Sequence, residues 1–389
     1  MKRPISLSVT LALSIAAATA VGIDVASGAT AARSAAAGAA ASCKNGATIG
    51  YMGPTTGAVA SIGAELREWP LFYVSQWNAK SKFKINVVEG DDQFDPAQAS
   101  TIATQFSSNQ KILGVLGPGS SAEVVAAAPL FKRAGMSYIA ATATRASLTN
   151  GSYGHFFRIA PPDNIQAVTT ANYIVTFLKA KKVAVFDDQS AYSAPLATSV
   201  TSLLQAKGVS VTHSSVSQNA TDYSATITNI PSGTDLVYTP FTNPAKMQLF
   251  GQQMAEQGKN IRMFAGDSGY STDFHIEGAY FSTFAPDIRD IRADKPVIKA
   301  YFKKYGAKAP LTTYGPPSYV AAQVLVQSVA AACADGTATR AEVYRDLLKA
   351  HLATSLLGHP IRFTKHGDVV GAQFVIFQIR NGKPVLVKK

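Results

Sequence analysis

A chain of 389 residues exceeds the usual size of one hydrophobic core and leaves room for two. Hydrophobic residues make up 47% and charged ones 15%, which excludes a disordered chain. The formal charge of +12 is spread over scattered Lys and Arg, with no run longer than two and no interleaved aromatic stripe, so no nucleic-acid partner is expected.

The N-terminus reads separately from the rest. Lys2 and Arg3 precede an uncharged stretch from Pro4 to Ile23, followed by Ala/Gly/Ser/Thr-rich sequence to Ser42. That order of charged, apolar and small residues is the pattern of an export signal, so residues 1–42 are assigned to a signal and linker. The apolar part is diluted by Ser, Thr and Ala, and no other stretch approaches membrane-spanning length. The expected location is periplasmic, or extracellular at the cell surface. Of the two cysteines, Cys43 opens the mature chain and Cys333 lies far along it. They can form one bridge in an oxidising compartment, or Cys43 can carry a lipid after Ala40-Ala41-Ser42; spacing alone leaves both open.

After Ala47, β-rich segments alternate with helical ones, the sign of a doubly wound parallel sheet. In chain order the pattern predicts strands over 48–52, 84–89, 112–117, 137–141, 182–186, 210–214, 236–238, 262–265 and 278–284. Helices are predicted over 96–108, 122–134, 165–180, 194–207 and 244–257. Asp95-Pro96 supplies a capping Asp and a Pro at the first helical position. Polar or Pro-rich joints at 158–164 and 285–290 divide the chain into comparable blocks.

Two strands end in turns of small hydroxyl residues. Lys111-Ile-Leu-Gly-Val-Leu breaks at Gly117-Pro-Gly-Ser-Ser and reopens as a helix near Ser121; Met136-Ser-Tyr-Ile-Ala-Ala ends in Thr142 and Thr144. Parallel strands set their C-terminal ends side by side, where open α/β sheets take ligands. A helix N-terminus there offers unpaired N–H groups and a positive dipole end to a small anion. Hydroxyls and amides without a strong base suit holding a carboxylate, not reacting with it.

These residues carry a resemblance. Gly117-Pro-Gly-Ser-Ser-Ala-Glu-Val-Val-Ala-Ala-Ala-Pro and Ile139-Ala-Ala-Thr-Ala-Thr-Arg-Ala-Ser-Leu-Thr resemble the periplasmic leucine/isoleucine/valine-binding proteins of ABC importers. So do Ile49-Gly-Tyr-Met-Gly-Pro-Thr-Thr-Gly, Asp91-Asp-Gln-Phe-Asp-Pro-Ala-Gln-Ala, Asp187-Asp-Gln-Ser-Ala-Tyr, Ala265-Gly-Asp-Ser-Gly and Gly358-His-Pro-Ile-Arg-Phe-Thr-Lys-His-Gly-Asp, in the family's order. The resemblance implies the type I periplasmic binding fold, with two α/β lobes, three chain crossings and hinge closure on a ligand. Lobe 1 would comprise 44–160 plus 287–360, and lobe 2 would comprise 161–286 plus 361–389. That layout puts Cys43 and Cys333 in one lobe, which favours the disulfide. Pro70 and the loop 78–84 depart from the family's pattern after its first helix.

Further implications concern the ligand. Ser121 matches the serine that binds the ligand carboxylate, although a plain helix cap would explain a Ser there as well. Thr142 matches a position whose backbone carbonyl accepts from the ligand ammonium, and Thr144 a threonine using both N–H and hydroxyl. Asp267 aligns with the acidic residue facing the ammonium, with Asp in place of Glu. Tyr192 matches the second-lobe tyrosine over the ligand, with Ser193 where the family has Gly. Ile62 stands where the family has a Trp, and Phe241 or Thr242 stands near an aromatic position; these belong to the side-chain wall. The implied function is an extracytoplasmic substrate-binding protein of an ABC importer. It would be a monomer that takes an amino acid, branched-chain or related, and delivers it to a membrane permease. The alternative is a secreted sensor presenting a small molecule to a membrane kinase or chemoreceptor.

No enzyme is expected. Gly117-x-Gly119-x-x-Ala122 meets the loose dinucleotide fingerprint, but the acidic residue required at the end of the next strand is missing. The six His have no metal-ligand spacing, and no nucleophile elbow or phosphate loop occurs, so neither metal nor cofactor is expected.

Overall fold

The computed structural model describes residues 40–57 and 59–388, so residues 1–39 of the predicted export signal and linker lie outside the described residues. Among the described residues no helix is long and apolar enough to cross a membrane. Five strands form the first sheet: β1 (Ala47–Gly53), β2 (Ile85–Asp91), β3 (Ile112–Leu116), β4 (Ser137–Ala140) and β5 (Phe156–Arg158). Their order is β2-β1-β3-β4-β5, all parallel. Alternation sends Ile49, Leu113, Ile139 and Phe157 into one core and Ile112, Val115, Tyr138 and Phe156 into another. Burial on both faces is why β1, β3 and β4 read as nearly unbroken apolar runs, whereas the edge strand β2 is largely exposed and more polar.

Helices α1 (Ala60–Lys80), α2 (Pro96–Ser108) and α3 (Ser121–Arg133) cover the first sheet. Helix α1 runs through Pro70 unbroken, although Pro in a helix interior forfeits a backbone hydrogen bond. Next to it, Trp69 is fully buried and stacks on Tyr301 with ring centroids 4.0 Å apart. The packing offsets the local cost.

The second sheet has seven strands. After α4 (Asp163–Thr176) come β6 (Lys182–Asp187), α5 (Ser193–Ala206), β7 (Ser210–Ser215), β8 (Leu236–Thr239), α6 (Pro244–Glu256), β9 (Arg262–Ala265) and β10 (Tyr280–Thr283). The order β12-β11-β10-β9-β8-β6-β7 places the two C-terminal strands, β11 (Val375–Arg380) and β12 (Lys383–Lys388), antiparallel at one edge. Its strands likewise alternate between two cores, with Phe186, Val237 and Phe281 in one and Val185, Leu236 and Phe264 in the other.

Between β10 and β11 the chain returns to the first half as α7 (Lys295–Tyr305), α8 (Gly315–Ala332) and α9 (Arg340–Lys349). Phe284 and Ala285 already pack in the first core, so this return begins just after Thr283. The third crossing was expected at residue 361. Instead Ile361, Val369, Ala372 and Phe374 remain in the first core, and the chain crosses only after Phe374. Arg158 explains the delay, because its buried guanidinium pairs with Asp368 at 2.7 Å and holds the segment down. Cys43 and Cys333 are joined in a disulfide with Cα atoms 5.6 Å apart, tying the start of the described chain to the end of α8.

Candidate functional site

Both sheets lose their last strand residues at the same cleft. On the first side, β3 runs into Gly117, whose φ of +100° is a left-handed conformation and whose missing Cβ would overlap the Met52 carbonyl oxygen. The chain then turns through Gly119 and Ser120 into α3. Ser120, not Ser121, is the N-cap: its hydroxyl accepts from the Glu123 N–H at 3.4 Å, and the Glu123 carboxylate accepts from the Ser120 N–H at 2.8 Å. This reciprocal capping box frees Ser121 from capping. The Ser121 side chain is buried and accepts from the Arg145 N–H at 3.2 Å, which ties the α3 start to the loop after β4.

That loop carries Thr142 and Thr144. The Thr142 hydroxyl donates to the Gly119 carbonyl at 2.6 Å, while the buried Thr144 hydroxyl has no hydrogen-bond partner among the described residues. Arg158 fixes the loop from behind, donating to the Arg145 carbonyl at 2.8 Å and to the Thr149 hydroxyl at 2.6 Å.

On the second side, Asp267 follows β9 and opens a short 3₁₀ turn to Gly269. It is more than a turn residue, because it is buried. Its Oδ1 accepts from the Tyr192 hydroxyl at 2.5 Å and from the Gln166 amide at 3.0 Å. Gly266 leaves room for that hydroxyl, which a Cβ would overlap. Burial pushes the Asp267 carboxyl up to about 6, against the lowering effect of these two hydrogen bonds. Behind it Asp163 is also fully buried, and desolvation followed by the nearby Asp267 charge pushes its carboxyl well up.

One cavity of about 430 Å³, mouth included, brings most of the predicted residues together: Ser121, Thr142, Thr144, Tyr192, Asp267 and Ile62 all line it. Phe241 does not. It is fully buried in the second core, where only its carbonyl turns forward to accept from Ser268, and Thr242 takes the wall instead. An apolar wall forms where Ile62 and Leu66 of α1 meet Phe94 and Tyr314. Sequence reasoning did not name Leu66 or Tyr314. Leu66 was accessible, since it sits one helical turn after Ile62. Tyr314 was not, because only tertiary folding brings the start of α8 to α1. There the buried Glu65 carboxylate accepts from the Thr312 and Gly315 N–H groups at 2.9 and 3.0 Å. Gln166 gave no signal either. Among the described residues no group of three or more His, Cys, Asp or Glu is placed to hold a metal ion.

The family model for periplasmic binding proteins matches residues 46–384, nearly all of the described chain. The chain belongs to the periplasmic binding protein family. It is therefore a substrate-binding protein and not an enzyme. An amino acid binding protein of Pseudomonas aeruginosa is 30% identical over 346 residues, covering 85% of this chain and 89% of that one. The Leu/Ile/Val-binding protein homolog 1 of Brucella abortus is 28% identical over 339 residues, with coverage of 85% and 89%. Among solved structures, the isoleucine complex of the branched-chain amino acid transporter substrate-binding protein from Streptococcus pneumoniae superposes with a TM-score of 0.79. It shares 23% identity over 88% of this chain and all of that one. A solute-binding protein of R. palustris in complex with benzoate shares the fold at a TM-score of 0.77 and 18% identity, over 88% of this chain and 96% of that one. Periplasmic binding proteins of this fold thus include one holding an amino acid and one holding a plain aromatic acid.

Proposed function

We propose that this protein is the exported substrate-binding component of an ABC importer, and that it closes two lobes around an amino acid. The lobes are 44–160 with 284–374 and 161–283 with 375–388. The observation that carries the reading is the pairing across the cavity. Among the described residues, a helix start with a serine freed from capping and a threonine without a hydrogen-bond partner faces a buried aspartate that has no cation beside it. An uncompensated buried carboxylate is costly, and an α-ammonium would offset that cost, while the α3 N-terminus with Ser121 and Thr144 receives the α-carboxylate. Both hydrogen bonds to Asp267 fall on Oδ1, which leaves Oδ2 to the ligand. Delivery to a membrane permease is inferred from the relatives' family.

A melting-shift screen across amino acids, small amides, ureas and simple carboxylates tests this reading, because a ligand bound only by the folded protein raises Tm. Amino acids should stand out. Small-angle scattering at saturating ligand should show compaction as the lobes close. A response confined to carboxylates lacking an ammonium, benzoate among them, would replace the amino-acid reading with an organic-acid one.

A further inference from the structure

The binding cavity does not end at its apolar wall. Phe94 and Thr242 also border a second, adjoining chamber of about 820 Å³, mouth included, which reaches toward the start of α6. We infer that this chamber is a subsite for the neutral, hydrogen-bonding end of a long ligand side chain, making the ligand an ω-carboxamide or ureido amino acid instead of a branched-chain one. The inference rests on the amino-acid reading of the first cavity.

Three features carry it. The first is the route: a ligand anchored between Ser121 and Asp267 meets methylene-compatible surface at Ile62, Leu66 and Phe94 before it reaches the chamber. An aliphatic stem with a polar tip follows that order of surfaces. The second is the hydroxyl of Tyr223. This residue lines the chamber at 2% exposure, and its hydroxyl bonds to no protein group among the described residues. A phenol that opens on the chamber without a protein partner can both donate to and accept from a ligand there. Beside it, Asn243 spends its Oδ1 on capping α6, accepting from the Ala245 N–H at 2.9 Å, so its amide NH₂ remains free to donate.

The third feature is charge. Asp188 borders the chamber with both carboxylate oxygens committed to backbone, to the Ser190 N–H at 3.0 Å and the Thr242 N–H at 2.6 Å. Lys246 donates to the Ala220 carbonyl at 2.6 Å. One fixed negative and one fixed positive charge leave no net field to favour an ionised tip. The uncommitted Asn243 amide and the Tyr223 phenol, which between them donate and accept, match a group that does both.

Titration calorimetry on the full mature protein with L-glutamine, L-citrulline, L-glutamate and L-leucine tests this. Glutamine or citrulline should bind at least tenfold more tightly than leucine or glutamate. Tyr223→Phe removes only the hydroxyl, and Asn243→Asp keeps the helix cap while replacing the amide donor. Each should weaken the amide-bearing ligand about fivefold or more and leave leucine within twofold. Leucine binding as tightly as glutamine, glutamate binding best, or both variants leaving glutamine unaffected would overturn the subsite. If no amino acid binds at all, the amino-acid reading falls first and takes the subsite with it, a different result from leucine being preferred.

Discussion

On the proposed reading, Asp267 sets how amino-acid binding responds to pH. Its carboxyl is held up at about 6 by burial, so the ligand-free protein keeps it protonated in mild acid. An α-ammonium favours the ionised form, and binding then releases a proton. Affinity for an amino acid should rise about tenfold per pH unit below about 6 and level off above it, and Asp267→Asn should flatten the profile. Stability without ligand runs the other way. Asp267 and Glu65 have folded values of about 6 and about 7, both raised chiefly by burial. Their contribution is fully present below the ordinary carboxylate range and is lost as pH rises through about 7. Tm measured without and with ligand from pH 5 to 8 should therefore diverge as pH rises. Ser121→Ala and Thr144→Ala should each cost about 1.5–3 kcal/mol of binding, as hydrogen bonds to a charged group, read from calorimetric Kd values. At this scale Ser121 and Thr144 could be singled out from strand-end position and turn chemistry, which are local, whereas Asp267 was singled out only by the family resemblance. Phe241 went astray because it lies two residues beyond the end of β8, where no strand alternation tells which of 241 and 242 faces the core.

Among the elements, the loop after β4 depends on a clamp from distant sequence. Arg158 is fully buried and bonded to the loop carbonyls, with Asp368 as its counter-ion. Asp368→Ala would leave that charge uncompensated and should destabilise the fold by about 3 kcal/mol or more, lowering the denaturation midpoint. Binding should weaken with it, since the loop presents Thr142 and Thr144. The inner strands of both sheets were legible because burial on two faces writes continuous apolar runs, while the largely exposed edge strands β2 and β7 were legible from their β-branched residues. Helices α7, α8 and α9 were not predicted. Helix α8 is apolar around most of its circumference, with Val320, Ala321, Val324, Leu325 and Val329 all buried, so it lacks the one-sided pattern that marks a surface helix. The third crossing was misplaced for a related reason. Segment 361–374 is held by Arg158, a contact 210 residues away in sequence, and not by any local signal.

At the scale of the whole molecule, the fold joins two α/β halves through three crossings, with the cavity where their strand ends meet. The disulfide from Cys43 to Cys333 lies within the first half, where it ties the residues ahead of β1 to the end of α8. Thiol titration of the denatured, unreduced protein should find no free thiol, whereas two free thiols or a lipid on Cys43 would contradict the bridge. The central claim is that the cavity grips an amino acid by its two charged ends. It is tested most directly by calorimetry of wild type and Asp267→Ala against the best amino acid and its counterpart lacking the ammonium. The account predicts that wild type strongly prefers the amino acid and that Asp267→Ala loses roughly 2–5 kcal/mol of that binding while affecting the deaminated acid far less. Equal binding of both ligands by wild type, with no change on Asp267→Ala, would contradict it.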